Sequence, residues 1–289
     1  MKLNNLTNLL DLFASRQSDG VSQACALMSG FSSTDQAKIF SGAEIDSDNG
    51  RLKLPFLSQL AQLEGHVGLP ELSLLLAGSD PVAMKLRNEI KSLCMNYERK
   101  ENALVVGAKE SEFGAIFHQY FPSIEPLSAL PSLNDLSIAD VNKLDLRGVE
   151  KISHLRTLKL HGIGELNSWE SLDQARQLRH LDINEVPCGA IHFSEAFSDL
   201  ESLAVNFYVP IGISPAWPLI SGLENLKNLK VLSIGGTIES LAGIEKLAHL
   251  KTIQFSLWSD FRDISSLITR LKDSKVSFAL NTINIETYA

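Results

Sequence analysis

In the second half of the chain, apolar residues recur at every third position and then at two alternate positions, and this unit repeats. One unit places Val149, Ile152 and Leu155 three residues apart and continues with Leu158 and Leu160. Alternating apolar positions are typical of a β-strand that buries one face. Each unit is therefore predicted to hold one short strand and a return segment that leads to the next strand.

Six units keep this register along the chain. The first apolar strand positions of these units are Leu136, Leu158, Leu181, Leu203, Leu232 and Ile253. The steps between them are 22, 23, 22, 29 and 21 residues. The segment Gly148–Leu158 also matches Gly243–Ile253, 95 residues later, by identity or conservative change at every position. A seventh, degenerate unit is predicted to end in Val276 and Phe278. Self-similarity at a fixed period is the signature of a solenoid, in which stacked units share one core.

This pattern resembles the leucine-rich-repeat family in its short form of roughly 22 residues per unit, as in internalin-like and phosphatase-regulator-like proteins. The family core is Leu-x-x-Leu-x-Leu followed by Asn, and Leu155, Leu158 and Leu160 fit it. The resemblance covers residues 124–280. It implies an α/β fold: a right-handed leucine-rich-repeat solenoid with a parallel β-sheet on the concave face, here preceded by an all-α N-terminal region.

The sequence departs from the family at the position of the conserved asparagine, whose side chain normally forms a buried amide ladder. Apolar packing is expected to fill this column instead. The residues at that position are Val141, Ile163, Val186, Tyr208, Thr237 and Trp258.

Residues 1–123 lack the repeat and are predicted to form a helical cap or a small docked domain, followed by a solenoid of about seven units over 124–289. Leu6, Leu9, Leu10 and Phe13 share one face of a helix. A solenoid must cover the apolar end of its first unit, and a helical cap is the simplest way to do so.

Helix starts are predicted at Ser18–Val21 and Ser79–Val82, since each segment offers a capping side chain and Pro81 suits the first helical position. The second of these helices is predicted to run from Pro81 to Lys100. Three shorter features are also predicted: a turn between helices at Asp46–Gly50, a strand at Leu104–Val106 and a helix at Phe113–Tyr120.

Composition narrows the classes of partner. The 289 residues carry a net charge of −8, with 26 Lys and Arg against 34 Asp and Glu, which argues against nucleic acid as the main partner.

The sequence contains no apolar run long enough to span a membrane and no signal peptide. Its three cysteines are widely spaced and predict reduced, inert thiols. The chain is therefore expected to be a cytoplasmic monomer without a membrane partner.

No motif for nucleotide, metal or nucleophilic chemistry occurs in the sequence, and no catalytic, metal or cofactor site is predicted. His154 and His249 occupy equivalent repeat positions and are predicted to be surface residues. Cys188 and His192 form an isolated Cys-x-x-x-His, which is too small for a metal site. They are interpreted as a structural thiol and a loop histidine.

A partner is expected to bind the concave face, because side chains between the buried leucines point outward from the sheet. The candidate contact residues on this face are Thr157, Lys159, His161, His180, Asp182, Asn184, Asn206 and Gln254. The alternative is a solvated sheet face without a ligand.

The 29-residue step between Leu203 and Leu232 marks a second candidate binding region. Residues 206–218 hold an insertion rich in proline and aromatic residues, including Tyr208 and Trp217. Insertions in repeat proteins emerge as loops on one face, and Tyr and Trp are frequent binding hot spots. The alternative is that these aromatic side chains pack back onto the core.

The function favoured by the sequence is that of a non-catalytic scaffold for protein–protein interaction, which binds through the concave face, the 206–218 insertion or both. Two alternatives remain open. One is an enzyme whose site lies in the N-terminal helical region while the repeats select the substrate. The other is a structural subunit of a larger assembly.

Overall fold

A computed structural model of the chain describes part of residues 1–123 and most of residues 124–289. The described residues are 3–14, 18–45, 52–53, 55, 69–95, 123–186, 190–207, 219–238, 241–255, 260–261 and 277–280. Several predicted features lie outside them. These are the turn at Asp46–Gly50, the strand at Leu104–Val106, the helix at Phe113–Tyr120, and Cys188, Tyr208, Trp217, Trp258 and Val276.

Five α-helices open the described chain. They are α1 (Leu3–Ala14), α2 (Ser18–Ser29), α3 (Ser33–Ile39), α4 (Leu69–Ala77) and α5 (Pro81–Glu89). The predicted face of α1 is confirmed, because Leu9 and Phe13 are fully buried and Leu6 and Leu10 pack against the core. No helix in the described ranges is long and apolar enough to cross a membrane.

Side-chain caps fix the starts of two of these helices. The Ser32 hydroxyl accepts a hydrogen bond from the Asp35 backbone N–H at the start of α3. The Asp80 carboxylate accepts from the backbone N–H groups of Val82 and Ala83. With Pro81 at the first position of α5, this confirms the predicted helix start.

The described residues also contain fourteen strands, the first two of which lie between α3 and α4. They are β1 (Glu44–Ile45), β2 (Leu52–Lys53), β3 (Ser92–Met95), β4 (Asp135–Asp145), β5 (Thr157–Asn167), β6 (His180–Asn184), β7 (Ala190–His192), β8 (Ser202–Asn206), β9 (Leu219–Ser221), β10 (Val231–Gly235), β11 (Thr237–Ile238), β12 (Thr252–Phe255), β13 (Asp260–Phe261) and β14 (Ser277–Leu280).

The main sheet contains eight parallel strands in the order β14-β12-β10-β8-β6-β5-β4-β3. Its register aligns the predicted strand leucines in one row, with Leu136 beside Leu158, then Leu181, Leu203, Leu232 and Ile253. Their side chains are buried in a continuous core. The predicted leucine-rich-repeat solenoid, with its parallel sheet on the concave face, is confirmed.

The seventh unit differs from the prediction by two residues. In the sheet, Phe278 pairs with Ile253 and Leu280 pairs with Phe255. Phe278 is therefore the first apolar strand position of this unit, where the sequence pattern indicated Val276. The unit is 25 residues long between these positions, and its weak pattern left the register open.

Hydrogen bonds explain the three-residue spacing in the return segments. The backbone N–H of Ile152 donates to the carbonyl of Val149, and the N–H of Leu155 donates to the carbonyl of Ile152. The same bond links each apolar residue to the one three positions earlier in the other units, as Leu226 does to Leu223. Turns of the 3₁₀ type place every third side chain on the same side. The apolar residues therefore all enter the core.

A corner in the backbone follows the buried strand positions in four of the repeats. Two residues beyond the second apolar strand position, the backbone adopts a positive φ in Asp140, Gly162, Glu185 and Gly236. After this corner lies the column that holds asparagine in the family. Val141, Ile163 and Val186 are buried there, which confirms the predicted apolar packing for these three units.

The N-terminal region is helical, as predicted, but it is not entirely α-helical. The short strands β1 and β2 pair with each other, so strands rather than helices flank the predicted turn at Asp46–Gly50. Helix α5 ends at Glu89, not at Lys100. The chain then enters β3, which pairs in parallel with β4.

Strand β3 follows the same hydrogen-bonding rule as the repeats. The Lys91 carbonyl accepts from the backbone N–H groups of Asn134 and Asp135. In the next unit the Asn134 carbonyl accepts from Arg156 and Thr157 in the same way. The segment from Ile90 to Met95 therefore forms an additional rung at the N-terminal end of the sheet.

Candidate functional site

The inner face of the sheet, defined here as the positions that alternate with the buried apolar residues of each strand, faces the concave side. In β6 and β8, residues at these positions are partly or fully exposed, while Leu181, Ile183, Leu203 and Val205 are buried. Strict alternation follows from strand geometry. The inner face therefore presents rows of side chains that run across the strands.

Three rows cross the repeats on this face. The first contains Asp135, Thr157, His180, Ser202, Val231 and Thr252. The second contains Ser137, Lys159, Asp182, Ala204, Ser233 and Gln254. The third contains Ala139, His161, Asn184, Asn206 and Gly235.

A groove of about 700 Å³ lies over the N-terminal half of the first two rows. We refer to it as the inner groove. It spans strands β3 to β8, and its lining residues are Leu93, Asp135, Leu136, Ser137, Thr157, Lys159, His180, Leu181, Asp182, Ser202 and Ala204. Of the predicted contact residues, Thr157, Lys159, His180 and Asp182 come together here.

Asp182 carries the most perturbed charge in this groove. Burial raises the pKa of its carboxyl group, and the positive charges of Lys159 and His161 lower it without reversing the shift. Lys159 is its neighbour on β5 and Ala204 its neighbour on β8. Among the described side chains, none donates a hydrogen bond to this carboxylate. A charged group that is partly desolvated and unpaired favours binding of a complementary group.

The third row is tied together by its own polar contacts. The Asn206 side chain donates a hydrogen bond from Nδ2 to Oδ1 of Asn184, at 2.8 Å. His161 Nε2 lies 3.5 Å from the Glu185 carboxylate, and both side chains are about half exposed. These contacts place His161, Asn184 and Asn206 along the side of the inner groove.

The remaining predicted contact residues lie elsewhere. Gln254 is in the second row on β12, three strands beyond Asp182 and away from the residues that line the groove. Tyr208 and Trp217 lie outside the described residues, as does most of the 206–218 insertion.

Leu93 is a lining residue that the sequence reasoning missed, because it lies in β3. A signal was present: Ile90, Leu93 and Met95 fit the Leu-x-x-Leu-x-Leu pattern with conservative changes. The step from Leu93 to Leu136 is 43 residues, about twice the usual period, and the pattern follows directly on a capped helix. Both features concealed the additional unit.

The other candidate reactive side chains of the described residues do not line the inner groove. Burial raises the pKa of the Cys25 thiol to about 11, so this thiol is protonated and unreactive at neutral pH. His154 and His249 are exposed in turns, as predicted. His192 ends strand β7 rather than lying in a loop, and its Nδ1 is 3.0 Å from the Ser221 hydroxyl. In the part of the chain described, no group of three potential metal ligands occurs.

The parallel main sheet, to which each unit contributes one strand, and the curved inner face together define a leucine-rich-repeat solenoid. No family model matches the sequence, and no curated protein matches it. Two solved structures from Listeria monocytogenes are similar to the chain. Internalin C2 is 15% identical with a TM-score of 0.35, and the match covers 58% of this chain and 83% of that one. A second internalin (inlF) is 14% identical with a TM-score of 0.33, covering 92% and 94%.

Proposed function

We propose that this chain is a non-catalytic scaffold for protein–protein interaction and that its partner binds in the inner groove. One observation carries the proposal: a concave groove of about 700 Å³ in which charged and polar side chains of neighbouring strands converge. The side chains of Lys159 and His180 are exposed there and have no hydrogen-bond partner among the described residues. Extended concave surfaces are the usual binding faces of solenoids.

The proposed mechanism is binding to a preformed surface. The groove side chains alternate with Leu158, Leu181 and Leu203, each of which is at most 1% exposed. Because parallel hydrogen bonding and this core fix each strand, little backbone ordering is required when the partner binds. Binding energy then goes into contacts with the partner rather than into folding of the site.

Two further expectations belong to the proposal. The scaffold acts as a monomer in the cytoplasm, where a reducing environment suits its unpaired Cys25. Residues 206–218 supply a second contact through Tyr208 and Trp217, since the insertion follows directly on Asn206 in the third row of the inner face.

Affinity capture from the extract of the native cell tests this function. The full chain is compared with Lys159→Glu/His180→Glu, which alters the inner groove. A matched control, Lys227→Glu/His249→Glu, makes the same two changes in exposed turns away from the groove. We expect the groove variant to lose a captured protein by roughly tenfold or more, as for hot-spot residues, and the control to retain it.

Circular dichroism and thermal unfolding establish that both double variants are folded. If the folded groove variant captures the same proteins in the same amounts as the wild type, the inner groove is not the binding face. Tyr208→Ala/Trp217→Ala examines the insertion in the same experiment, and unchanged capture would exclude it as a contact. Binding that collapses with a steep salt dependence would instead point to nucleic acid.

A further inference from the structure

The Asp182 side chain has free space on the side that faces β8. Its neighbour in the second row on β8 is Ala204, whose methyl group leaves free volume in the inner groove. The inner-face residues before and after Ala204 on the same strand are Ser202 and Asn206, which both carry oxygen acceptors. The Asp182 carboxylate therefore borders a small space over Ala204, and the neighbouring inner-face side chains of β8 are neutral and polar.

The acceptors around this space are largely unused. No hydrogen bond reaches the Asp182 carboxylate from any described residue. The Asn206 amide group donates to Asn184 through Nδ2, and among the described residues no donor is bonded to its Oδ1. A ligand that carries several N–H donors in one plane and a positive charge would satisfy these groups together. A guanidinium group has five such donors and binds carboxylates in a bidentate manner.

The charges in the groove favour a cation over an anion at this point. An anion would bind either at Lys159, which lies beside Asp182 and diagonally across from Asp135, or at His180, which is two residues from Asp182 on β6 and interacts electrostatically with Glu201. It would therefore meet two carboxylates. A cation over Ala204 lies on the far side of Asp182 from Lys159, and the net charge of −8 attracts basic partners over longer distances.

We propose that the space over Ala204 is a subsite for an arginine side chain of the partner protein, with Asp182 as its anchor and Ser202 and Asn206 as additional acceptors. This inference rests on the proposed function, since it names the chemistry that the inner groove recognises. A partner of this scaffold presents an exposed arginine on a convex surface that fits the groove.

The subsite is tested with a probe that needs no knowledge of the partner. The full chain, labelled with ¹⁵N, is titrated with Nα-acetyl-arginine-N-methylamide and followed by backbone amide shifts. We expect saturable shifts at Asp182 and in β8 around Ala204. The citrulline analogue has nearly the same shape without the charge, and we expect it to bind at least about tenfold more weakly.

Three variants locate the effect. Asp182→Asn removes the charge, and Ala204→Leu fills the space while leaving the carboxylate in place; each is expected to weaken binding of the arginine probe by about tenfold or more. Asp11→Asn is the matched control, because Asp11 is an exposed carboxylate on α1, and its affinity should stay within about twofold of the wild type. The amide spectra themselves show whether each variant is folded.

Equal binding of arginine and citrulline probes, shifts confined to other surfaces, or unchanged binding by folded Asp182→Asn would overturn the arginine subsite. Stronger shifts of the same amides with Nα-acetyl-aspartate-N-methylamide would assign the groove to an anion and overturn it as well. Capture that depends on Lys159 and His180 but not on Asp182 would contradict this subsite alone. An arginine probe that binds at Asp182, while groove variants capture normally, would contradict the proposed function instead.

Discussion

At the scale of single residues, burial and nearby charge act on the Asp182 carboxyl group in opposite directions. Loss of solvent raises its pKa, and the positive charges of Lys159 and His161 lower it by less. In the unfolded chain the same group is fully solvated and has an ordinary pKa. Folding therefore costs free energy at neutral pH, where the carboxylate is charged, and this cost is the opposite of a stabilising salt bridge.

We expect Asp182→Asn to stabilise the protein at neutral pH and to lose this advantage in acid. Because the folded pKa lies above the unfolded one, the native state binds the proton more tightly, and the penalty in the wild type fades as pH falls through the folded value. Urea unfolding of both proteins at about pH 7 and about pH 4 measures this. A variant less stable than the wild type at neutral pH would show that the carboxylate makes a favourable contact in the native state.

Gly222 is a residue at which the backbone geometry requires glycine. It begins the 3₁₀ turn Leu223–Asn225 with φ of 76°, and an added Cβ would lie 2.1 Å from the carbonyl oxygen of Phe193. Gly222→Ala is expected to cost about 2 kcal/mol or more, from the left-handed conformation and the clash together. Thermal or urea unfolding gives the value.

Gly30→Ala is the matched control for this substitution. The Cβ added at Gly30 makes an ordinary contact of 3.4 Å with the Leu27 carbonyl oxygen, and its φ is not in the left-handed region. We expect a change within about 0.5 kcal/mol. A cost at Gly222 no larger than that at Gly30 would mean that the turn relaxes around the new side chain.

The residues of the candidate site could be predicted in part. Alternation along a strand places Thr157, Lys159 and His180 on the inner face from sequence alone, and the structure brings them together. The isolation of Asp182 could not be predicted, because it depends on which side chain lies next to it on β8 and on how much solvent the curved sheet excludes. Both depend on contacts across several strands rather than on local pattern.

At the scale of elements, each repeat couples a strand to a 3₁₀ return segment through side chains that share one core. Leu155 and Leu158 are fully buried on the two sides of this junction. The Leu155 N–H also donates to the Ile152 carbonyl. The three-residue spacing in the sequence thus reports both the hydrogen bonding of the return segment and its packing, which is why the register was predictable.

Leu158→Ala tests this coupling on an interior strand of the sheet. Leu158 pairs in register with Leu136 on one side and Leu181 on the other, so the truncated side chain leaves a cavity between rungs. We expect a loss of about 2–5 kcal/mol in the free energy of unfolding. Met84→Ala removes a large apolar side chain that is 50% exposed, and it should change stability by less than about 0.5 kcal/mol. Similar values for the two variants would contradict the burial of Leu158.

Strand β3 marks the limit of prediction at this scale. A helix from Pro81 to Lys100 was expected because Asp80 and Pro81 form a strong helix start, and that start is present. The helix ends at Glu89 because the next residues, from Ile90 to Met95, gain a parallel partner in β4. Pairing with a strand about 40 residues away is a tertiary effect, which overrides local helical preference.

At the scale of the whole molecule, the helices and the repeats share one hydrophobic core. The buried cluster runs from Leu9 and Phe13 in α1 to Ile253 and Phe255 in β12.

Gln36 on α3 is a buried polar residue that links this helix to α2 and to the segment before α5. Its side-chain amide donates to the carbonyls of Met28 and Phe31, and its Oε1 accepts from the Ser79 backbone N–H. The helical region is thus internally ordered and continuous with the first rung.

Removal of residues 1–123 tests whether this region is required as a cap. A fragment of residues 124–289 loses β3, so the N–H groups of Asn134 and Asp135 lose the Lys91 carbonyl and the edge of β4 becomes open. Exposed edges and uncovered apolar ends promote association. We expect the fragment to aggregate or to unfold at a much lower temperature than the full chain, in size-exclusion chromatography with light scattering and in thermal unfolding. A monomeric fragment with an unchanged transition would instead identify the N-terminal region as an independent domain, because an independently stable solenoid needs no cover on its first rung.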